Sequence, residues 1–187
     1  TGGLLIEKEA NQEIKKSLNF FYKKDNLIEI YSFSIFAYSH TDIDNFLNVI
    51  DDLKIHVNLY IPEIMLSNMK VSEDKFSHLI RYPFLSFEDF DTLLVNCDIN
   101  FVRGEDSLVR AIYCGKPFIW QPYVQKKDAH IDKLNAFIDL YFSDLRKPLF
   151  KIISVAFNEW AFGQLSPASL NNFIENIEEL EKYYFDQ

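Results

Sequence analysis

Hydrophobic positions along this chain switch repeatedly between a period of two and a period near 3.6, and each switch marks a change of element. Ile14, Leu18 and Phe21 give the polar stretch Glu9 to Lys24 a helical spacing, and Leu27 to Ala37 then reads as a strand. Thr41 or Asp42 is suited to cap a helix that turns Phe46, Leu47 and Ile50 inward, and Ile55 to Ile61 forms the next strand, stopped by Pro62. A short helix from Pro62 to Met69 and a strand from His78 to Tyr82 follow. Ser86 then caps a helix through Cys97 with Phe87, Phe90, Leu93 and Leu94 on its apolar face. Ile99 to Val102 and Pro117 to Gln121 are two further strands, separated by a helix whose inner face carries Leu108, Ala111, Ile112 and Gly115. No hairpin signal interrupts this alternation, so it predicts an α/β fold: a Rossmann-like parallel sheet with helices on both faces.

Beyond Gln121 only the helical period remains. Asp128 is placed to cap a helix bearing Ile131, Leu134, Ile138 and Tyr141, and Leu145 to Phe162 continues apolar around Pro148. Ser166 as N-cap and Pro167 at the first helical position open a final helix striped with Leu170, Phe173, Ile174, Ile177 and Tyr184. The chain thus divides into a connection with a first helix (1–26), an α/β core (27–125) and C-terminal helices (126–187).

Composition narrows the function. At 187 residues, 48% hydrophobic and 16% aromatic, the chain has material for one well-packed domain. A net charge of −9, from 28 acidic against 19 basic side chains with no long basic cluster, excludes a nucleic-acid partner. Cys97 and Cys114 are too few and too far apart for a zinc or redox motif and are expected as reduced core thiols, which points to the cytoplasm. Neither a membrane-spanning run nor a signal peptide is present. The start at Thr1, followed by Gly2 and Gly3, suggests a piece of a longer chain.

The chemistry concentrates between Asn100 and Lys116, NFVRGEDSLVRAIYCGK. A strand that feeds directly into a helix places the helix's unpaired N–H groups at the C-terminal edge of the sheet, where open α/β folds bind phosphorylated ligands, and Arg103 stands beside them. Asp106 and Ser107 are equally ordinary N-cap residues, and Glu105 with Asp106 would repel an anion unless turned elsewhere. Five glycines give neither GxGxxG nor GxxxxGK[ST], so dehydrogenase and P-loop readings fall. Asp42-Ile43-Asp44 has the spacing of a metal-binding DxD, yet carboxylates at a helix start favour the dipole for structural reasons alone. His130 is expected as a surface histidine in a first helical turn, with an acid, base or ligand role open. Phe36, Tyr38 and Phe84 end predicted strands at the same edge, where they would stack on a base or simply join the core.

Three segments carry a resemblance: FVRGEDSLVRA (Phe101 to Ala111), GKPFIW (Gly115 to Trp120) and QKKDAHIDKL (Gln125 to Leu134). With TGGL at the start, FDTLL at Phe90 to Leu94 and CDIN at Cys97 to Asn100, they resemble the C-terminal half of the EarP family, bacterial protein-arginine rhamnosyltransferases of elongation factor P. The resemblance implies a two-domain GT-B glycosyltransferase, with this half binding dTDP-β-L-rhamnose and an N-terminal domain supplying a catalytic aspartate and much of the acceptor surface. On its own this half is expected to be inactive, and whether its last helix packs toward the other domain stays open. Transfer would invert the sugar onto one arginine of elongation factor P, with no metal and no cofactor.

By the same resemblance Arg103 is a diphosphate contact, Asp106 and Ser107 are nucleotide-sugar contacts, and Glu105 is a carboxylate implicated in catalysis. Phe36, Tyr38 and Phe84 match positions that hold the nucleotide. Phe87 departs from the family's usual glutamine, as do Ile112, Tyr113 and Cys114 from Gln-Trp-Ala. Two other readings stay open: a noncatalytic protein-interaction module, and a transferase of the same architecture using another nucleotide sugar.

Overall fold

The computed structural model describes residues 30–66, 79–125 and 128–187. Five parallel strands, β1 (Ile30–Ile35), β2 (His56–Pro62), β3 (Leu79–Tyr82), β4 (Ile99–Arg103) and β5 (Phe118–Gln121), lie in the order β3-β2-β1-β4-β5. The connecting helices are α1 (Ile43–Leu53), the single turn α2 (Glu63–Leu66), α3 (Phe87–Asn96) and α4 (Gly104–Cys114). After β5 come α5 (Ala129–Tyr141), α6 (Lys147–Ala161), α7 (Pro167–Glu175) and α8 (Ile177–Asp186). The expected α/β sheet with flanking helices is therefore present. The expected connection and helix over 1–26, the start of the first strand, and the segment around Met69 and His78 lie outside the described residues.

A parallel sheet covered on both faces must be apolar on both, and its central strands are. Phe33, Ile35, Ile99, Phe101, Val102, Phe118, Ile119 and Trp120 are buried. The polar exceptions pair with each other: Ser34 donates to Asn100 Oδ1 at 2.6 Å, and Asn100 Nδ2 donates to the carbonyl of Leu94 at 2.9 Å. Two aromatic clusters fill the interior. Phe46, Phe101 and Trp160 meet at centroid separations of 4.7 to 5.3 Å. Phe118 meets Tyr184 at 4.8 Å, and the Tyr184 hydroxyl donates to the carbonyl of Phe118 at 2.7 Å, tying α8 to β5.

Local sequence explains several element ends and misplaces others. Asp42 and Ser86 cap α1 and α3 by accepting from Asn45 N–H and Asp89 N–H. Pro148 stands in the first turn of α6, where its missing N–H costs nothing. The single final helix expected from the stripe is two, because the chain turns at Asn176 between α7 and α8. Asp128 precedes α5 but makes no side-chain cap bond.

One correction matters for function. Asp106 and Ser107 do not cap α4; they lie inside it, because Gly104 at φ +65° turns the chain straight from β4 into the helix and leaves Arg103 at the N-cap position. No side-chain hydrogen bond caps this helix.

Candidate functional site

Strand order reverses between β1 and β4, the point of an open α/β sheet where a crevice forms beyond the strand ends. Ile35 of β1 registers against Phe101 of β4, and Arg103 of β4 registers against Gln121 of β5. Arg103 therefore projects at the switch point. Its Nη1 donates to the carbonyl of Ala37 at 2.8 Å, and its guanidinium lies 4.2 Å from the Phe36 ring centroid and 4.9 Å from that of Tyr38. Two aromatic faces and one carbonyl fix a planar cation whose other donors are not taken by the described residues. Burial pushes the Tyr38 phenol up despite the opposing charge of Arg103, so it stays a neutral hydrogen-bonding group.

Arg103 belongs to two pockets at once. One, of about 430 Å³, is walled by Phe36, Tyr82, Phe84, Leu85, Phe87 and Phe90, with Pro62, Glu63, Ile64 and Pro83 completing it. The other, of about 340 Å³, is more polar and lies among Ala37, Tyr38, Ser39, Thr41, Asp42, Asp44, Ile64 and Met65. Phe84 is fully exposed at the rim of the first pocket, and Phe87 is 64% exposed. Large exposed rings at a concave site are an apolar surface awaiting cover. Arg110 supports Phe87 from below, its guanidinium 4.1 Å from the ring centroid and 2.6 Å from Asp91 Oδ2.

Sequence-predicted site residues thus separate into two groups. Phe36, Tyr38, Phe84 and Arg103 come together around the pockets, whereas Glu105, Asp106 and Ser107 open α4 and line neither pocket. Glu105 is exposed and ion-paired with Lys133 of α5, which holds its carboxyl below the usual range. Asp106 is exposed and Ser107 is buried in the first turns. Gly104 serves a close approach as well as its turn, since a Cβ there would sit 3.1 Å from the Tyr38 hydroxyl.

His130 corrects another expectation: it is 5% exposed, not a surface residue, and its Nδ1 faces the N–H of Gln125 at 3.4 Å. Asp42 is committed to capping α1, and no group of three or more potential metal ligands gathers among the described residues. Both cysteines are free, and burial pushes the Cys114 thiol up to about 12 and the Cys97 thiol well above its ordinary value, as inert core thiols require.

Gln121 and Trp120 escaped the sequence reading. Gln121 is wholly buried; its Oε1 accepts from Tyr38 N–H at 2.9 Å, and its Nε2 donates to Thr41 Oγ1 at 2.9 Å and to the Trp160 carbonyl at 3.1 Å. It pins the loop that carries Tyr38. Trp120 Nε1 donates to the Gly104 carbonyl at 2.8 Å and braces the first turn of α4 from the neighbouring strand. A glutamine ending an apolar strand before Pro122 was the available signal.

The sequence profile described as Elongation-Factor P (EF-P) rhamnosyltransferase EarP matches residues 1–186. A protein-arginine rhamnosyltransferase of Pseudomonas aeruginosa is 32% identical over 143 residues, covering 70% of this chain and 38% of the relative. Another, of Shewanella oneidensis, is 34% identical over 173 residues, covering 78% of this chain and 44% of the relative. The chain spans less than half the length of these curated relatives. A solved structure from work on EarP-mediated arginine glycosylation of translation elongation factor EF-P matches with a TM-score of 0.72 at 24% identity, over 98% of this chain and 61% of that one, and supports the fold.

Proposed function

Because this chain belongs to the EarP family of EF-P rhamnosyltransferases, we propose that it forms the donor-binding part of a GT-B enzyme that transfers rhamnose from dTDP-β-L-rhamnose, with inversion, onto an arginine of elongation factor P in the cytoplasm. The observation that carries this reading is the placement of Arg103, bracketed by Phe36 and Tyr38 at the switch point and shared by both pockets. The apolar pocket accepts the base on Phe36, Phe84 and Phe87. The diphosphate lies over Arg103 and the uncapped start of α4, with Asp106 and Ser107 in that turn as further nucleotide-sugar contacts.

Chemically, the bond from the sugar's anomeric carbon to the phosphate oxygen breaks while a bond forms from an arginine nitrogen, and the proton leaves that nitrogen for a carboxylate. Arg103 and the helix amides stabilise the departing diphosphate, so no step is assigned to a metal or cofactor. A guanidinium does not deprotonate by itself at neutral pH, so carboxylates must hold it and receive its proton as the new bond forms. Glu105 is one such carboxylate; the family resemblance supplies an aspartate from the other domain.

Calorimetric titration with dTDP tests the reading. Binding by the wild type and its loss in Arg103→Ala are expected; no heat from the wild type at millimolar nucleotide contradicts it. Phe87, an exposed ring at the pocket where the family usually shows glutamine, favours one second reading, a donor with a different base, which competition among dTDP, UDP and GDP separates from the first.

A further inference from the structure

Among its described residues, the QKKDAHIDKL segment holds a charged contact that the proposed function leaves unused. Lys133, on α5, reaches across to α4 and pairs with Glu105. Its ammonium also lies 5.7 Å from the Trp120 ring centroid, and Trp120 in turn holds the Gly104 carbonyl. His130, one turn earlier, is buried and set against the N–H of Gln125, which fixes the start of α5. The segment therefore delivers the Lys133 ammonium to the carboxylate at the mouth of α4.

Until an acceptor arginine engages it, that carboxylate is a liability. It stands in the first turn of a helix without a side-chain cap, where the dipole and free N–H groups attract any nearby anion, including the protein's own. Left alone, it would settle on the amides that a phosphate needs and would repel the phosphate as well. We propose that Lys133 is a positioning residue that draws the Glu105 carboxylate toward α5 and neutralises it, keeping the start of α4 and Arg103 open to a diphosphate. The inference rests on the reading of that helix start as a diphosphate site.

Lys133 touches no phosphate in this account; its effect passes entirely through Glu105. That makes the test a cycle of variants in the full-length protein, titrated with dTDP and, separately, with inorganic pyrophosphate. Lys133→Met is expected to weaken both about fivefold at low salt, the scale of one partly screened charge, with the difference shrinking toward about 0.5 M salt. Lys133→Arg is expected to retain wild-type affinity. In a Glu105→Gln background, Lys133→Met is expected to change nothing, because the charge it controls is gone.

Unchanged affinity in Lys133→Met overturns the proposal, and so does an equal loss with and without Glu105, which would mean that Lys133 contacts the ligand or supports the fold. The proposed function fails separately: wild-type protein that binds pyrophosphate but not dTDP removes the nucleotide reading while the cycle still runs on pyrophosphate. Binding of neither probe overturns both.

Discussion

Two helix starts in this protein solve the same problem in opposite ways. At α7, Ser166 accepts from Ser169 N–H at 3.2 Å, its own N–H donates to Glu159 Oε2 at 2.8 Å, and Pro167 occupies the first turn. Side chains cap that end, and it is a structural joint between α6 and α7. At α4 the N-cap position is Arg103, whose side chain turns away to Ala37, Phe36 and Tyr38, and no cap bond forms. Both starts would be stabilised by a cap worth about 1 kcal/mol. Under the proposed function, a helix that forgoes this at the switch point of the sheet keeps its donors for the diphosphate.

Changing each start should expose the difference. The largest effect is expected for Arg103→Ala, a loss of dTDP affinity of about a hundredfold, the scale of a charge-assisted contact, with Arg103→Lys recovering only part because a point charge does not reproduce the bracketed fork. Equilibrium binding measures both. Gly104→Ala should cost about 1–2 kcal/mol in denaturant unfolding, because it forces a side chain onto positive φ against the Tyr38 hydroxyl, and it should weaken dTDP as well. Ser166→Ala should cost about 1 kcal/mol of stability and leave nucleotide affinity unchanged. If Ser166→Ala weakened dTDP as strongly as Gly104→Ala, the contrast between the two ends would be lost.

The smallest expected effect is on the acid side of the stability curve. Lys133 holds the Glu105 carboxyl below its ordinary 4.5, so the pair stabilises the fold above that pH and loses its contribution as the pH falls through the lower folded value. Both side chains are about half exposed, at 44% and 57%, so solvent screening limits the contribution. Thermal unfolding of wild type and Lys133→Met should therefore differ by at most about 0.5 kcal/mol at neutral pH and converge below the carboxylate range.

How far the sequence carried this picture depended on how local each signal was. Alternating periods revealed the α/β order because a strand and a helix each declare themselves within a few residues. Arg103 was legible for the same reason, as the residue between an apolar strand and a glycine that opens a helix, although the structure carries the strand one residue further to include it. The capping alternative left open for Asp106 and Ser107 falls because the true start depends on the positive φ of Gly104, which composition permits but does not require. Gln121 was invisible because its partners Tyr38 and Thr41 are 83 and 80 positions away, and only the register of β1, β4 and β5 brings them together. His130 looked like a surface residue by its place in a first turn, yet the packing of α5 buries it.

Amide NMR of the labelled protein during a dTDP titration tests the central claim most directly, since it reports which N–H groups meet the ligand. The account expects the largest shifts at Gly104, Glu105, Asp106 and Ser107, accompanied by ring-proton changes at Phe36 and Tyr38, with Ser169 at the start of α7 unmoved. Saturating shifts confined to other helix starts, with the α4 amides unchanged, would contradict it.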